Sequence, residues 1–197
     1  SPNWMIDRLK ACGQRSVNNI VDISNYVLLE IGHPTHIFDF EKLNSKKISI
    51  RRAHKGEKIK TLDSKSNNLD DLNLIITDGM KPIALAGIIG GENSAVSEKT
   101  SKVFIESAYF NPITIRKSAK KLQISTDASK RFERGLCPNN AELAFWRVVN
   151  LLEKYGGGKL VSNLTDMYPE SVKVSKVLLR QSEIFEVLGI EITNKTI

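Results

Sequence analysis

The stretch from Arg15 to Asp39, RSVNNIVDISNYVLLEIGHPTHIFD, constrains the fold more than any other part of the chain. Its apolar positions Ile20, Val21, Val27, Leu28 and Ile31 recur every three or four residues, with Asn18 or Asn19 available as a cap and Gly32 as a left-handed stop. That spacing predicts a helix, and Pro34 forbids its continuation. The chain must therefore leave the helix through a stiff Gly-His-Pro turn that aims the ring of His36. Taken alone, such a histidine is most simply a loop residue that satisfies its own hydrogen bonds.

The remaining pattern alternates between helices and short strands. Met5, Ile6 and Leu9 predict a first short helix before Gly13. Residues 48–53, 74–77, 83–89 and 103–107 are short, β-branched and bounded by Gly, Asp, Asn or Pro, and they read as strands. Asn111-Pro112 supplies a cap and a first-turn proline for a helix to about Leu122. Residues 141–155 form the longest amphipathic run, ended by Gly156-Gly157-Gly158, and 177–188 form a last one, closed by Gly189. Mixed α and β is as far as periodicity goes. The polar, proline-bearing YPESVK marks a domain boundary near residue 170, and the segment beyond it has too little apolar surface to fold alone.

Composition narrows the class. With 41% hydrophobic and 26% charged residues in 197, the chain is an ordinary globular sequence, and no apolar run approaches the ~18 residues of a membrane span. The N-terminus lacks the apolar core of a signal peptide and an initiator methionine, so an internal piece of a cytoplasmic protein is expected. Cys12 and Cys137 are too few and too far apart for a disulfide framework and read as free thiols. The net charge of +7 is concentrated: Lys46–Lys60 sets seven basic residues against Glu57, a net of +6, and Arg116–Arg134 sets seven against Asp127 and Glu133, a net of +5. Those segments either line a phosphate path or form solvated faces.

Few side chains point to chemistry. His33 and His36 are separated by Pro34, and no carboxylate or thiol cluster completes a metal site with them or with His54. GIIGGENS lacks the GK[ST] ending of a phosphate loop, so its glycines imply close backbone approach or a bulge. Glu106 interrupts the apolar run VFIESA and needs either a partner or a function. STDAS offers Thr126, Asp127 and Ser129 as helix caps. Neither cysteine has a motif around it and no Gly-x-Ser-x-Gly elbow exists, so any hydrolysis would use positioned water.

Three segments occur in one order: RSVNNIVDISNYVLLEIGHPTHIFD, GIIGGENSAVSEKTSKVFIESAYF and STDASKRFERG. Together they resemble the editing (B3/B4) module of the bacterial phenylalanyl-tRNA synthetase beta subunit. The matching positions include Arg15, Asn25, Pro34, His36, Phe38 and Asp39, then Gly90, Gly91, Thr100 and Glu106, then Thr126, Ala128, Arg131, Glu133 and Arg134. The departures are Ser24 for threonine, His33 for glutamine, and Thr35-His36-Ile37 for Met-His-Ala. The resemblance implies an α/β mixed (α+β) fold of layered β-sheets with outer helices. It assigns residues 1–170 to the editing module and 171–197 to the start of the following, B5-like module.

The implied activity is hydrolysis of the ester of tRNA-Phe mischarged with tyrosine, within a phenylalanine–tRNA ligase. An apolar pocket rejects a substrate that merely adds a hydroxyl by only ~100-fold, whereas a site that hydrogen-bonds the hydroxyl discriminates by ~10⁴ or more. The resemblance makes Glu106 that reader, with the Gly90 backbone beside it. His36 and Arg15 would hold the terminal adenosine and orient the ester, Pro34, Thr126 and Ala128 would line the amino-acid pocket, and Asn25 would position water. No cofactor is implied in this stretch. ATP and magnesium would serve the full ligase, a heterotetramer with an alpha subunit, and the partner here would be the acceptor end of tRNA-Phe. The alternative is a non-catalytic tRNA-binding or subunit-assembly module of the same fold.

Overall fold

The computed structural model describes residues 1–45, 47–169, 171–172 and 176–197. It divides into two compact units, Ser1–Asn163 and Leu164–Ile197. The boundary expected near residue 170 falls at Glu170, which lies outside the described residues, as do Lys46 of the first basic segment and Val174 of the tail.

Unit 1 begins with α1 (Asn3–Ala11) and α2 (Asn19–Ile31). The side chain of Asn18 accepts from the amide of Val21, and Gly32 ends α2 in the left-handed region at φ 80°. The strand β1 (Thr35–Asp39) follows at once and pairs antiparallel with β8 (Val103–Ser107). The expectation of a loop around His36 is thus corrected. The backbone beyond Pro34 is extended, and the alternation in Thr-His-Ile-Phe-Asp serves a two-sided ribbon.

Between these strands lie β2 (Ser49–Arg52), β3 (Lys58–Lys60), β4 (Ser66–Asn68), β5 (Leu74–Thr77), β6 (Pro82–Leu85) and β7 (Ile89–Gly90). Four of them form an antiparallel sheet in the order β2-β5-β6-β7, and β3 pairs with β4. The single strand expected over 83–89 is instead a hairpin. Gly87, at φ 67°, turns the chain between β6 and β7, and a Cβ there would stand 2.8 Å from the Phe110 ring. The polar β3 and β4 escaped the sequence reading because KIK and SNN carry almost no apolar signal.

The helices α3 (Pro112–Leu122), α4 (Asp127–Phe132) and α5 (Asn140–Tyr155) complete the unit. Asn111 caps α3 and Pro112 occupies its first turn. Two cores meet at the β1–β8 ribbon. Phe38 and Phe104 face a core built on β5, β6, α3 and α4, through Ile75, Ile83, Leu85, Ile115 and Phe132. Ile37, Val103 and Ile105 face another, formed by Met5, Leu9, Ile23, Val27, Val148 and Leu151 of α1, α2 and α5. Sheets in layers with helices outside make this a mixed α/β fold of the kind expected. Unit 2 contains α6 (Gln181–Leu188), closed by Gly189 at φ 70°, and α6 buries no side chain.

Candidate functional site

Antiparallel register sets the site. His36 lies directly opposite Glu106, Ile37 opposite Ile105 and Phe38 opposite Phe104. Side chains alternate between faces of a ribbon, so His36 and Glu106 share the face of Phe38 and Phe104. The His36 ring meets Phe38 edge-on, with centroids 4.4 Å apart. The Ser24 hydroxyl of α2 donates to the Thr35 carbonyl at 2.9 Å, which fastens the start of β1 to the helix.

The glycine-rich hairpin packs over that pair. A Cβ at Gly90 would stand within 2.5 Å of His36 Nε2, so the histidine ring lies against bare backbone that only glycine can present. The hairpin is held from three sides. The Leu62 amide donates to the Gly90 carbonyl at 3.0 Å, the Gly91 amide to the Ile83 carbonyl at 2.7 Å, and the Thr126 hydroxyl to the Ile88 carbonyl at 2.6 Å. Together these elements enclose a solvent-open cavity of about 60 Å³, lined by Pro34, His36, Ile89, Gly90, Glu106, Ala128 and Phe132, among others. A larger depression of about 280 Å³ is lined by Arg52, Asp71, Leu72, Ile113, Thr114 and Lys117, but it contains no buried polar atom without a partner.

The smaller cavity does contain one. His36 Nε2 is buried and makes no hydrogen bond, and burial lowers the imidazole to a pKa of about 4, so the ring is neutral at pH 7. Burial pushes the Glu106 carboxyl up to about 7, and among the described residues it has neither a hydrogen bond nor an ion pair. Both side chains are half-buried by area, and a half-buried carboxyl beside an unpartnered buried imidazole nitrogen in one cavity is a mark of function. Chemically, the pair presents a carboxyl able to give or take a proton near neutrality beside a neutral imidazole. Either group can bind a hydroxyl. Among the described residues no three His, Cys, Asp or Glu side chains converge as a metal site requires, and both cysteines are exposed.

Five of the residues singled out in the sequence thus line one cavity: Pro34, His36, Gly90, Glu106 and Ala128. Three do not. Asn25 sits partly buried on α2, and its carboxamide makes no hydrogen bond among the described residues. Thr126 is the N-cap of α4, accepting from the Ser129 amide at 3.0 Å while it donates to Ile88, so its hydroxyl is engaged in structure. Arg15 is exposed on the loop between α1 and α2 and, among the described residues, unpaired. Its neighbours are not loose, however. Gln14 Nε2 donates to Asp127 of α4 at 2.6 Å, and Ser16 and Val17 donate to the buried Asp22 at 2.6 and 2.8 Å. The Gln14 bond holds the loop that carries Arg15 to Asp127, the residue before Ala128.

Sequence reasoning missed Gln14 and Asp127 as a clamp, because nothing in the sequence relates positions 113 residues apart. It also missed Phe132 in the lining and the buried His33, whose Nε2 lies 3.0 Å from the Ala108 carbonyl and ties the entrance of β1 to the exit of β8. The clue for Phe132 was its place two turns after a cap. Among the described residues no helix is long and apolar enough to cross a membrane.

Comparison with known proteins identifies the family. The family model described as the B3/4 domain matches residues 1–157. The phenylalanine–tRNA ligase beta subunit of Protochlamydia amoebophila is 46% identical over 189 residues, covering 96% of this chain and 24% of its own. That of Thermotoga maritima is 44% identical over 192 residues, covering 98% and 24%, and that of Carboxydothermus hydrogenoformans 42% over 197, covering 100% and 25%. The chain spans about a quarter of the length of these relatives. On a match over most of its length, the chain belongs to the B3/4 domain family, and it is homologous over nearly all its residues to phenylalanine–tRNA ligase beta subunits.

Proposed function

We propose that the cavity between the β1–β8 ribbon and the glycine hairpin hydrolyses the ester of tRNA-Phe mischarged with tyrosine. The observation that carries this reading is the Glu106–His36 pair, opposite one another across two strands and without hydrogen-bond partners among the described residues, in a cavity lined otherwise by Thr35, apolar groups and glycine backbone. A tyrosine side chain is an apolar ring with one hydroxyl. Glu106 accepts a hydrogen bond from the phenolic hydroxyl, the Gly90 backbone lies beside it, and Pro34 and Ala128 flank the ring. His36 and Arg15 hold the terminal adenosine and orient the ester, and Thr126 supports the amino-acid side of the pocket. Asn25 positions the attacking water. No protein nucleophile takes part, and the rate arises from placing water against the ester carbonyl.

In this reading the chain is the editing portion of a phenylalanine–tRNA ligase beta subunit and binds the tRNA acceptor end. Residues 171–197 begin the next module. The complete enzyme, with its alpha subunit, uses ATP and Mg²⁺ for aminoacylation, and the editing step requires neither. The test is release of tyrosine from Tyr-tRNA-Phe, with Phe-tRNA-Phe as the competing substrate and a Glu106→Ala variant. Selective release by the wild type should fall at least tenfold in the variant, whose thermal midpoint stays within a few degrees of the wild type. Discrimination should also rise as pH passes about 7, where Glu106 becomes a pure acceptor. Equal release from both esters, or an unaffected variant, would rule out Glu106 as the reader.

A further inference from the structure

Each basic segment has engaged and free cations. In the first, Arg51 is paired with Glu57 at 2.8 Å, Lys60 with Glu92 at 2.8 Å, and the Arg52 guanidinium donates to the Leu72 carbonyl at 2.9 Å and to Thr114. Lys60, one residue before the Thr61–Gly91 bridge, is neutralised by Glu92. Lys47, Lys55 and Lys58 of the same segment are exposed and, among the described residues, without a partner. In the second segment, Arg116 donates to the Glu133 carbonyl, Arg131 to the Asp127 carbonyl and Lys121 to Asp70. That leaves Lys117, Lys120, Lys130 and Arg134, all exposed and, among the described residues, without any carboxylate or hydrogen-bond partner.

These four cations belong to one hairpin. α3 and α4 are joined by residues 123–126, and the Arg116–Glu133 bond shows that the N-terminal half of α3 runs beside the end of α4. Ile115, Ser118 and Ala119 of α3, with Ser129 and Phe132 of α4, are the buried faces, which leaves the cations on the outer side. α4 connects this surface to the cavity directly, since it contributes Ala128 and Phe132 to the lining. At 1.5 Å per residue, Lys130 lies along the helix about 3 Å from Ala128, and Arg134 follows two residues after α4 ends at Phe132.

Resting on the editing reading above, we infer that the outer face of the α3–α4 hairpin docks the duplex phosphate backbone of the RNA whose 3′ end enters the cavity. Charge complementarity selects the occupant. Four free cations on an exposed helical hairpin match a polyanion that presents phosphates at regular intervals, and they carry no base-reading geometry, as expected of a positioning contact. A duplex held here would be registered by its backbone, so that only the single-stranded 3′ end reaches Glu106 and His36.

The test measures the salt dependence of binding of the 197-residue chain to a non-aminoacylated RNA hairpin with a short single-stranded 3′ tail. A quadruple variant, K117Q/K120Q/K130Q/R134Q, is compared with a control, K47Q/K55Q/K58Q, that neutralises three exposed cations of the first segment. With roughly 0.7–0.9 in slope per phosphate contact, the quadruple variant should flatten log K against log salt by about three, while the control changes it by less than one. With the 3′ tail alone as ligand, variant and wild type should bind alike. A slope unchanged in the quadruple variant, an equal loss in the control, or the same loss on the tail alone would overturn the assignment. A second readout separates docking from chemistry. The quadruple variant should hydrolyse Tyr-tRNA-Phe at least tenfold more slowly at subsaturating substrate but cleave tyrosyl-adenosine at the wild-type rate. Equal loss on both substrates would place these residues in the cavity's own function and overturn the docking role. Failure of the wild type to cleave either ester would remove the editing reading, and the salt slopes would still decide the surface.

Discussion

Burial acts on Glu106 and His36 in opposite directions, and the opposition has a thermodynamic signature. Glu106 rises from 4.5 to about 7, so between those values the folded protein holds a proton the unfolded chain has lost, and stability falls as pH rises. His36 drops from 6.5 to about 4, so across that window the unfolded chain binds the extra proton, and stability rises with pH. The two slopes nearly cancel between 4.5 and 6.5. Each single variant should therefore unmask the other residue. Relative to wild type, Glu106→Gln should gain stability as pH rises from about 4.5 to 7, and His36→Gln should gain as pH falls from about 6.5 to 4. Each gain should be roughly 1–3 kcal/mol, the lower end reflecting the cavity's contact with solvent. Urea unfolding at several pH values measures both. Variants whose curves stay parallel to wild type would show the two groups to be hydrated in the folded state. The same opposition bears on chemistry, because it supplies a carboxyl near its midpoint beside an imidazole that remains uncharged at pH 7.

At the scale of elements, the site depends on loops held by polar side chains. Thr126 illustrates this, since one hydroxyl caps α4 and fastens the Ile88 carbonyl of the glycine hairpin. Thr126→Val should cost about 1–2 kcal/mol in chemical unfolding, the usual loss of a cap with some added by the freed carbonyl, and Thr126→Ser should recover most of it. A valine variant of wild-type stability would show that neither bond contributes. Elements whose caps and periodicity agree were legible in the sequence: α2 with Asn18 and Gly32, α3 with Asn111-Pro112, α4 with Thr126. β1 was not, because the helix stop at Gly32 and Pro34 reads equally well as the start of a loop, and strand pairing with β8 is fixed by partners 64 to 72 residues away. The Ile83–Ile89 run read as one strand because the chain reverses at Gly87 without a turn dipeptide; φ there is 67°, and a Cβ would meet Phe110, Ile115 and Phe132 within 3.2 Å. Glu106 stood out as a carboxylate in an apolar strand, yet its pairing with His36 required the register. The clamp on the loop that carries Arg15 left no local signal, since Gln14 and Asp127 meet only after α1, α2 and α4 are packed.

For the molecule as a whole, the distribution of buried surface separates the two units. Both cores, and every buried residue among those described, lie within Ser1–Asn163. In Leu164–Ile197 the apolar side chains Val177, Leu178, Val187 and Leu188 are 87%, 73%, 82% and 56% exposed. A unit that buries nothing has no hydrophobic term to set against its chain entropy. The one helix among its described residues, α6, has eight residues, fewer than the ~12–15 at which an isolated helix becomes marginal in water. A chain ending at Asn163 should therefore unfold cooperatively with a midpoint within about 2–3 °C of the longer chain, the spread that roughly 1 kcal/mol produces at this size. A peptide of residues 164–197 alone should show little helical signal by circular dichroism. The opposed pH slopes of Glu106 and His36 should persist in the shorter chain, since both strands that carry them lie within unit 1. A midpoint lowered by more than about 5 °C would instead make residues 164–197 part of what holds the cavity's two cores together, and the hairpin at Gly87 would be the first place to look for the loss.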